Sequence, residues 1–132
     1  MTGLDTNVLV RYLVQDDKKQ SKLAAESIRK ATAEGKGCYI NHIVLCELVW
    51  VLESAYGFEK KTIESVLEKI LSTKQLDVEL KDIVRQAVHD YRVGKGDFAD
   101  YLIGRTNQTQ GCAYTTTFDR ALKNVTAFVV LE

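Results

Sequence analysis

Residues 1–14, MTGLDTNVLVRYLV, place an ionisable Asp5 after Leu4 and before the apolar run Val8, Leu9, Val10. If Leu4 ends a buried strand and that run begins a buried helix, Asp5 stands at a strand-to-helix junction. A carboxylate there either caps the helix or takes part in chemistry. Helical periodicity continues through RYLVQDDKKQSKLAAESIRKATAEG at 11–35, as two helices broken near Gln15 to Lys19. Leu23, Ile28 and Ala31 share one face of the second helix, and Gly35 stops it.

Strands and helices then alternate. GCYI at 37–40 reads as a strand, and Asn41 as the N-cap of HIVLCELVWVLESAYG, a largely apolar helix ending at Gly57. KKTIESVLEKILST at 60–73 is amphipathic through Ile63, Val66, Leu67, Ile70 and Leu71, and LDV at 76–78 is a minimal strand. KDIVRQAVHDYRV at 81–93 is a helix with Ile83, Val84, Ala87, Val88 and Tyr91 inward, closed by a flexible GKG at 94–96. DFADYLIGRTNQTQG at 97–111 is a helix entered through two aspartates, with Phe98, Leu102 and Ile103 packing behind Asp100. CAYTT and TAFVVL are strands flanking a short FDRALKN helix. Parallel strands need such crossovers, so the pattern predicts an α/β fold with a parallel sheet flanked by helices on both faces, and a site beyond the carboxyl ends of the strands.

The 132 residues suit one domain spanning 1–132, without disulfides or a structural metal. No apolar run is long enough to cross a membrane, and the opening residues lack a signal-peptide pattern, so a cytoplasmic protein is expected. Cys38, Cys46 and Cys112 are widely spaced and read as reduced core residues. Lys plus Arg balance Asp plus Glu at 18 each, so no global positive field advertises nucleic-acid binding, and any such contact must be local.

Acids recur where periodicity does not ask for them: Asp5, Glu47 inside VLCELVWVL, Asp97 or Asp100 at a helix entry, and Asp119 in TTTFDRAL. Each has a bland reading. Asp5, Asp97 and Asp119 can cap helices, Asp100 suits a first turn, and Glu47, if buried among Leu45, Leu48 and Val49, must find a cation. Gathered at one end of a parallel sheet, they would repel unless neutralised. Oxygen ligands without His or thiolate suit magnesium or manganese, and such a cation suits a phosphoryl substrate.

LDTNVLV, CELVWVL, DFADYLI and TTTFDRAL, in that order, resemble the PIN-domain family, and within it the VapC-type toxins. The resemblance covers essentially the whole chain. It implies a five-stranded parallel sheet in 3-2-1-4-5 order and a magnesium- or manganese-dependent endoribonuclease in which a metal-activated water cleaves RNA phosphodiesters. It also implies inhibition by a cognate VapB-type antitoxin. Residue by residue it assigns Asp5, Glu47, Asp100 and Asp119 as the four acids, with Glu47 as ligand or water-orienting base and Asp97 as an additional acid of the DFAD variant. The first strand is unusually short.

Supporting roles are open to Thr6 and Asn7, beside the Asp5 carboxylate, and to Thr115 and Thr117, toward a water or phosphate oxygen. Lys18, Lys19, Lys95, Arg105 and Arg120 are candidates for phosphate contacts. His42 and His89 lack a partner at metal spacing, and Trp50 is core, dimer contact or base-stacking platform. A homodimer is expected, with an antitoxin segment on apolar surface near the helices at 20–56. Competing readings are a metal-dependent phosphatase, which wants an acid where Asn7 stands, and a catalytically inert PIN-like interaction module.

Overall fold

In the computed structural model, which describes residues 1–132, two compact units succeed one another along the chain, Met1–Lys81 and Asp82–Glu132. The first is built on strands β1 (Thr2–Gly3), β2 (Cys38–Ile40) and β3 (Leu76–Val78). They form a parallel sheet in the order β1-β2-β3, with Thr2 opposite Cys38 and Cys38 opposite Leu76. Helix α1 (Thr6–Val14) leaves β1 after a two-residue step. Gln15 takes a left-handed conformation at its end, φ 60°, and Asp17 caps α2 (Lys18–Ala33) by accepting from the Gln20 amide. The break at Gln15 to Lys19 lies where the sequence predicts it.

Asn41 caps α3 (His42–Ser54) through the Val44 amide, as its position predicts. Helix α4 (Lys60–Ser72) follows, with Ile63, Leu67, Ile70 and Leu71 buried. Leu9, Cys38, Ile40, Leu48 and Ile63 have no accessible surface and form the centre of this unit's core. On α2 the buried stripe is Ser21, Ala24, Ile28 and Ala31, whereas Leu23 is exposed. Small Ala24, one position on, takes the inward place.

The second unit holds α5 (Lys81–Val93, its first residue belonging to the preceding unit), α6 (Phe98–Thr109), β4 (Thr115–Thr117), a 3₁₀ turn at Arg120–Leu122 and β5 (Phe128–Val130). β4 and β5 pair in parallel, Thr115 opposite Phe128. Val84, Ala87, Phe98 and Leu122 are fully buried, and Tyr91 meets Phe98 edge-on with centroids 6.0 Å apart. The strands therefore form two small parallel sheets, one in each unit, in place of the single five-stranded sheet the resemblance implies. Strands of two or three residues support few ladder bonds, and here each pairs within its own unit.

The GKG segment is not the flexible link its composition suggests. Gly96 is buried and its amide donates to the Tyr101 hydroxyl at 2.9 Å, while a Cβ on Gly94 would stand 2.0 Å from that oxygen. Both glycines make room for a tyrosine. Of the cysteines only Cys38 is fully buried; Cys46 is half-buried and Cys112 exposed, all three as free thiols. No helix is long and apolar enough to cross a membrane.

Candidate active site

In the first unit, Asp5 occupies the N-cap position of α1 in extended conformation but makes no capping hydrogen bond. The simplest structural reading of this acid is therefore absent. Its side chain is exposed, as is Asn7. Thr6 does not bond the Asp5 carboxylate, as the sequence suggests it could. Its hydroxyl is buried at the first turn of α1 and donates to Glu47 Oε1 at 2.6 Å, across 41 positions of sequence.

Glu47 is itself exposed, which corrects the expectation that it is enclosed by apolar neighbours. The reason is the direction in which α3 packs. Val44, Leu45, Leu48, Val49 and Leu52 face inward, and Ile43, Glu47 and Trp50, at the i, i+4, i+7 spacing of one helical face, look outward. Trp50 is consequently not a core residue.

The acids of the second unit are held locally. Asp97 is the N-cap of α6, and its amide donates to Asp100 Oδ2 at 3.3 Å, so Asp100 closes one arm of a capping box. Asp119 Oδ1 accepts from the Ala121 amide at 2.9 Å and opens the 3₁₀ turn, while its own amide donates to the Thr117 hydroxyl at 3.1 Å. Asp100 is half-buried. Desolvation pushes its carboxyl above its ordinary value, and the charges of Asp97 and Asp119 add to the rise against the pull of the Asp97 backbone. Three of the predicted acids thus sense one another in this unit. Of the residues expected to pack behind Asp100, Phe98 and Leu102 are buried and Ile103 is exposed.

Thr115 is occupied by Asn107, whose amide nitrogen donates to its hydroxyl at 2.9 Å. Arg105 is committed to Asp90 through two bonds of 2.7 and 2.9 Å, which removes it from the set of free phosphate contacts. Lys18, Lys19, Lys95 and Arg120 are exposed. His42 sits at the start of α3 with Nε2 2.7 Å from the Glu79 carbonyl oxygen, and His89 is exposed. No three His, Cys, Asp or Glu side chains are grouped as a metal site. The donor chemistry nonetheless fits a hard cation: the shifted acid and its neighbours offer oxygens alone, with like charge to be neutralised.

Two features escaped the sequence. The Thr6 to Glu47 bond has no local signature, because its partners meet only when α1 and α3 pack. Phe118, 81% exposed beside Asp119, was hidden in an ordinary strand-to-turn pattern.

Residues 4–127 match the PIN domain, a span that runs through both units and includes every acid described above. The chain belongs to the PIN-domain family. It is 30% identical over 125 residues to a VapC ribonuclease of Aquifex aeolicus (strain VF5), an alignment covering 95% of this chain and 92% of that one. This is a VapC-type PIN-domain protein. No solved structure matches it. Within the matched span, Asp5 and Glu47 lie in the first unit and Asp97, Asp100 and Asp119 in the second.

Proposed function

We propose that this PIN-domain protein is a magnesium- or manganese-dependent endoribonuclease toxin, with Asp5, Glu47, Asp100 and Asp119 as its working acids over a single PIN domain of residues 1–132. The observation that carries the reading is the Asp100 carboxyl, half-buried at the entry of α6 and bonded to the Asp97 amide, with burial first and the charges of Asp97 and Asp119 after it disfavouring its ionised form. Folding tolerates such repulsion where a ligand relieves it. The similarity to a protein named a VapC ribonuclease supplies the substrate class.

Each acid has oxygen to spare. Asp119 Oδ1 accepts from the Ala121 amide and Asp100 Oδ2 from the Asp97 amide, leaving the other oxygen of each for a ligand. Asp5 makes no capping bond. Glu47 is steadied at Oε1 by Thr6, so its second oxygen can orient a water or take its proton. The resemblance assigns Asp5, Asp100 and Asp119 to a divalent cation, with Glu47 or Asp97 assisting, and such a cation would neutralise phosphate charge and acidify water. Hydrolysis adds one water across a P–O bond, its hydroxyl going to phosphorus and its proton to the leaving oxygen. Asp97 serves chiefly as the N-cap in this assignment.

Inhibition by a VapB-type antitoxin belongs to the same reading. A groove of about 300 Å³ between α1 and α2, lined in part by Val8, Leu23 and Ala24 with Arg11 and Gln20, offers apolar surface for a partner segment. Homodimerisation in the cytoplasm completes it, and light scattering across a concentration series checks the pairing. The decisive experiment is cleavage of an unstructured RNA with magnesium, with manganese and with excess EDTA, alongside Asp5→Asn. Cleavage in metal that chelation and the substitution both abolish is expected. Undiminished cleavage in EDTA would overturn the assignment.

A further inference from the structure

A single side chain closes a ring around two of the second unit's acids. The Tyr101 hydroxyl accepts from the Gly96 amide at 2.9 Å, so Asp97 and Asp100 both lie inside the stretch of chain that this bond spans. Within it Asp100 Oδ2 accepts from the Asp97 amide, and the Tyr101 amide donates to the Asp97 carbonyl at 3.4 Å. The hydroxyl is not needed to fill the core. Phe98 is already fully buried at the same helix entry, and a phenylalanine at 101 would present the same ring with no polar atom to desolvate.

Two glycines yield space to that hydroxyl. Neither Gly94 nor Gly96 has a positive φ, so backbone conformation does not call for glycine at either position. Space does: a Cβ on Gly94 would overlap the hydroxyl oxygen, and one on Gly96 would stand 3.1 Å from it. The Gly96 Cβ would also meet Leu122 Cδ2 at 2.7 Å. Leu122 has no accessible surface and lies in the 3₁₀ turn that Asp119 opens, its amide donating to the Asp119 carbonyl at 3.1 Å. Gly96 is thus held between two side chains, one from α6 beside Asp100 and the other from the turn of Asp119. Burial first, then the charges of Asp97 and Asp119, disfavour the ionised Asp100 carboxyl, as expected of acids whose segments pack together.

We propose that Tyr101 is a positioning residue for the acids of the second unit: by holding Gly96 against Leu122, its hydroxyl fixes the α6 entry of Asp97 and Asp100 relative to the turn of Asp119, and so sets how well those carboxylates receive a divalent cation. The proposal rests on the cation-dependent reading above and names a residue outside the acids that governs it. The buried hydroxyl meets no substrate and acts through the backbone. Repulsion among the three carboxylates pushes their segments apart, and the bond to Gly96 opposes it. A small hard cation demands near-ideal geometry of its oxygen ligands, so a loosened mounting costs affinity.

The test compares wild type with Tyr101→Phe in the full chain. Manganese is titrated into each protein without RNA, and the free ion is counted by electron paramagnetic resonance. Cleavage of an unstructured oligoribonucleotide then gives kcat and KM across a metal series. Tyr101→Phe should bind manganese about ten- to a hundredfold more weakly, and its kcat should fall at low metal and recover as metal is raised, with KM for RNA unchanged. Val84→Ala opens the same unit's core on α5 and controls for lost stability: its urea midpoint should fall while manganese affinity stays at wild type. Leu122→Val alters the other side of Gly96 and should weaken manganese binding too, adding little further loss when combined with Tyr101→Phe.

Equal manganese affinity in wild type and Tyr101→Phe, where wild type binds the ion and Asp100→Asn does not, would overturn the positioning role and leave the cation reading standing. A parallel loss of affinity in Val84→Ala would overturn it as well, assigning the effect to stability. So would loss of the folded circular dichroism spectrum in Tyr101→Phe, since the hydroxyl would then support the unit as a whole. Wild type with no manganese binding sensitive to Asp100→Asn would overturn the cation reading itself, and the proposal with it.

Discussion

In the first unit one acid, Glu47, is held from far away in sequence and Asp5 is held by no capping bond, whereas Asp100 and Asp119 of the second are held by their own neighbours. Glu47 is steadied by a hydroxyl 41 positions earlier, and Asp5 stands at a cap position without capping. Asp100 and Asp119 each bond a backbone amide within three residues. An acid with a local bond has a structural job whether or not it has a chemical one. The first unit therefore offers the cleaner argument for function, and the second the more rigid mounting.

That contrast breaks most sharply under amide substitution. Asp100→Asn and Asp119→Asn keep an oxygen for the local amide but lose charge, so RNA cleavage should fall at least about a hundredfold. Their urea midpoints should stay level or, for Asp100→Asn, rise, because the half-buried charge no longer has to be desolvated and the repulsion from Asp97 and Asp119 is relieved. Asp97→Asn, which preserves a good N-cap, should keep activity within severalfold. Unfolding of the two amide variants, or equal loss at Asp97, would mean that capping explains the second unit's acids or that Asp97 is a ligand.

Next in size is a change to the mounting itself. Gly94→Ala drives a methyl group into the Tyr101 hydroxyl and ring, at 2.0 and 2.7 Å, and should cost about 2–3 kcal/mol in urea unfolding. A cost near zero would show that the segment yields, as its GKG composition suggests. In the first unit, Thr6→Val removes the hydroxyl that steadies Glu47. Cleavage should drop about tenfold, with stability lower by about 1 kcal/mol. If activity holds, Glu47 needs no orientation and the long-range bond is incidental.

The smallest effect lies away from the acids. Asp16 accepts from the Tyr56 hydroxyl at 2.8 Å and from Arg11 at 3.0 Å, and these partners hold its carboxyl below its ordinary value. A depressed folded value means stability that is present above the unfolded carboxylate range and lost as pH falls through the folded value. The difference in urea midpoint between wild type and Asp16→Asn should be small at pH 7 and vanish once pH has fallen through the depressed folded value. Since the group is on the surface, added salt should also shrink it.

Helix boundaries were legible in the sequence because they are written in short range. Asn41 caps where its position says it should, and Gln15 breaks the helices where the charges cluster. The exposure of Glu47 was not legible: a helix as apolar as α3 carries no periodic sign of which side faces in, and only packing chose Leu48 over Trp50. The division of the strands into two sheets was equally hidden, since pairing depends on partners far along the chain. Arg105 looked available only because Asp90, fifteen residues earlier, is on another helix.

The Tyr101 hydroxyl gives the Gly96 amide an unusual standing. A backbone proton in a loop ordinarily exchanges with solvent almost at will, yet this one is buried and donated to a side chain rooted in the second turn of α6. It can exchange only when that ring withdraws. Measured by hydrogen exchange, the protection of this single amide is the free energy of local opening at the helix entry that carries Asp97 and Asp100.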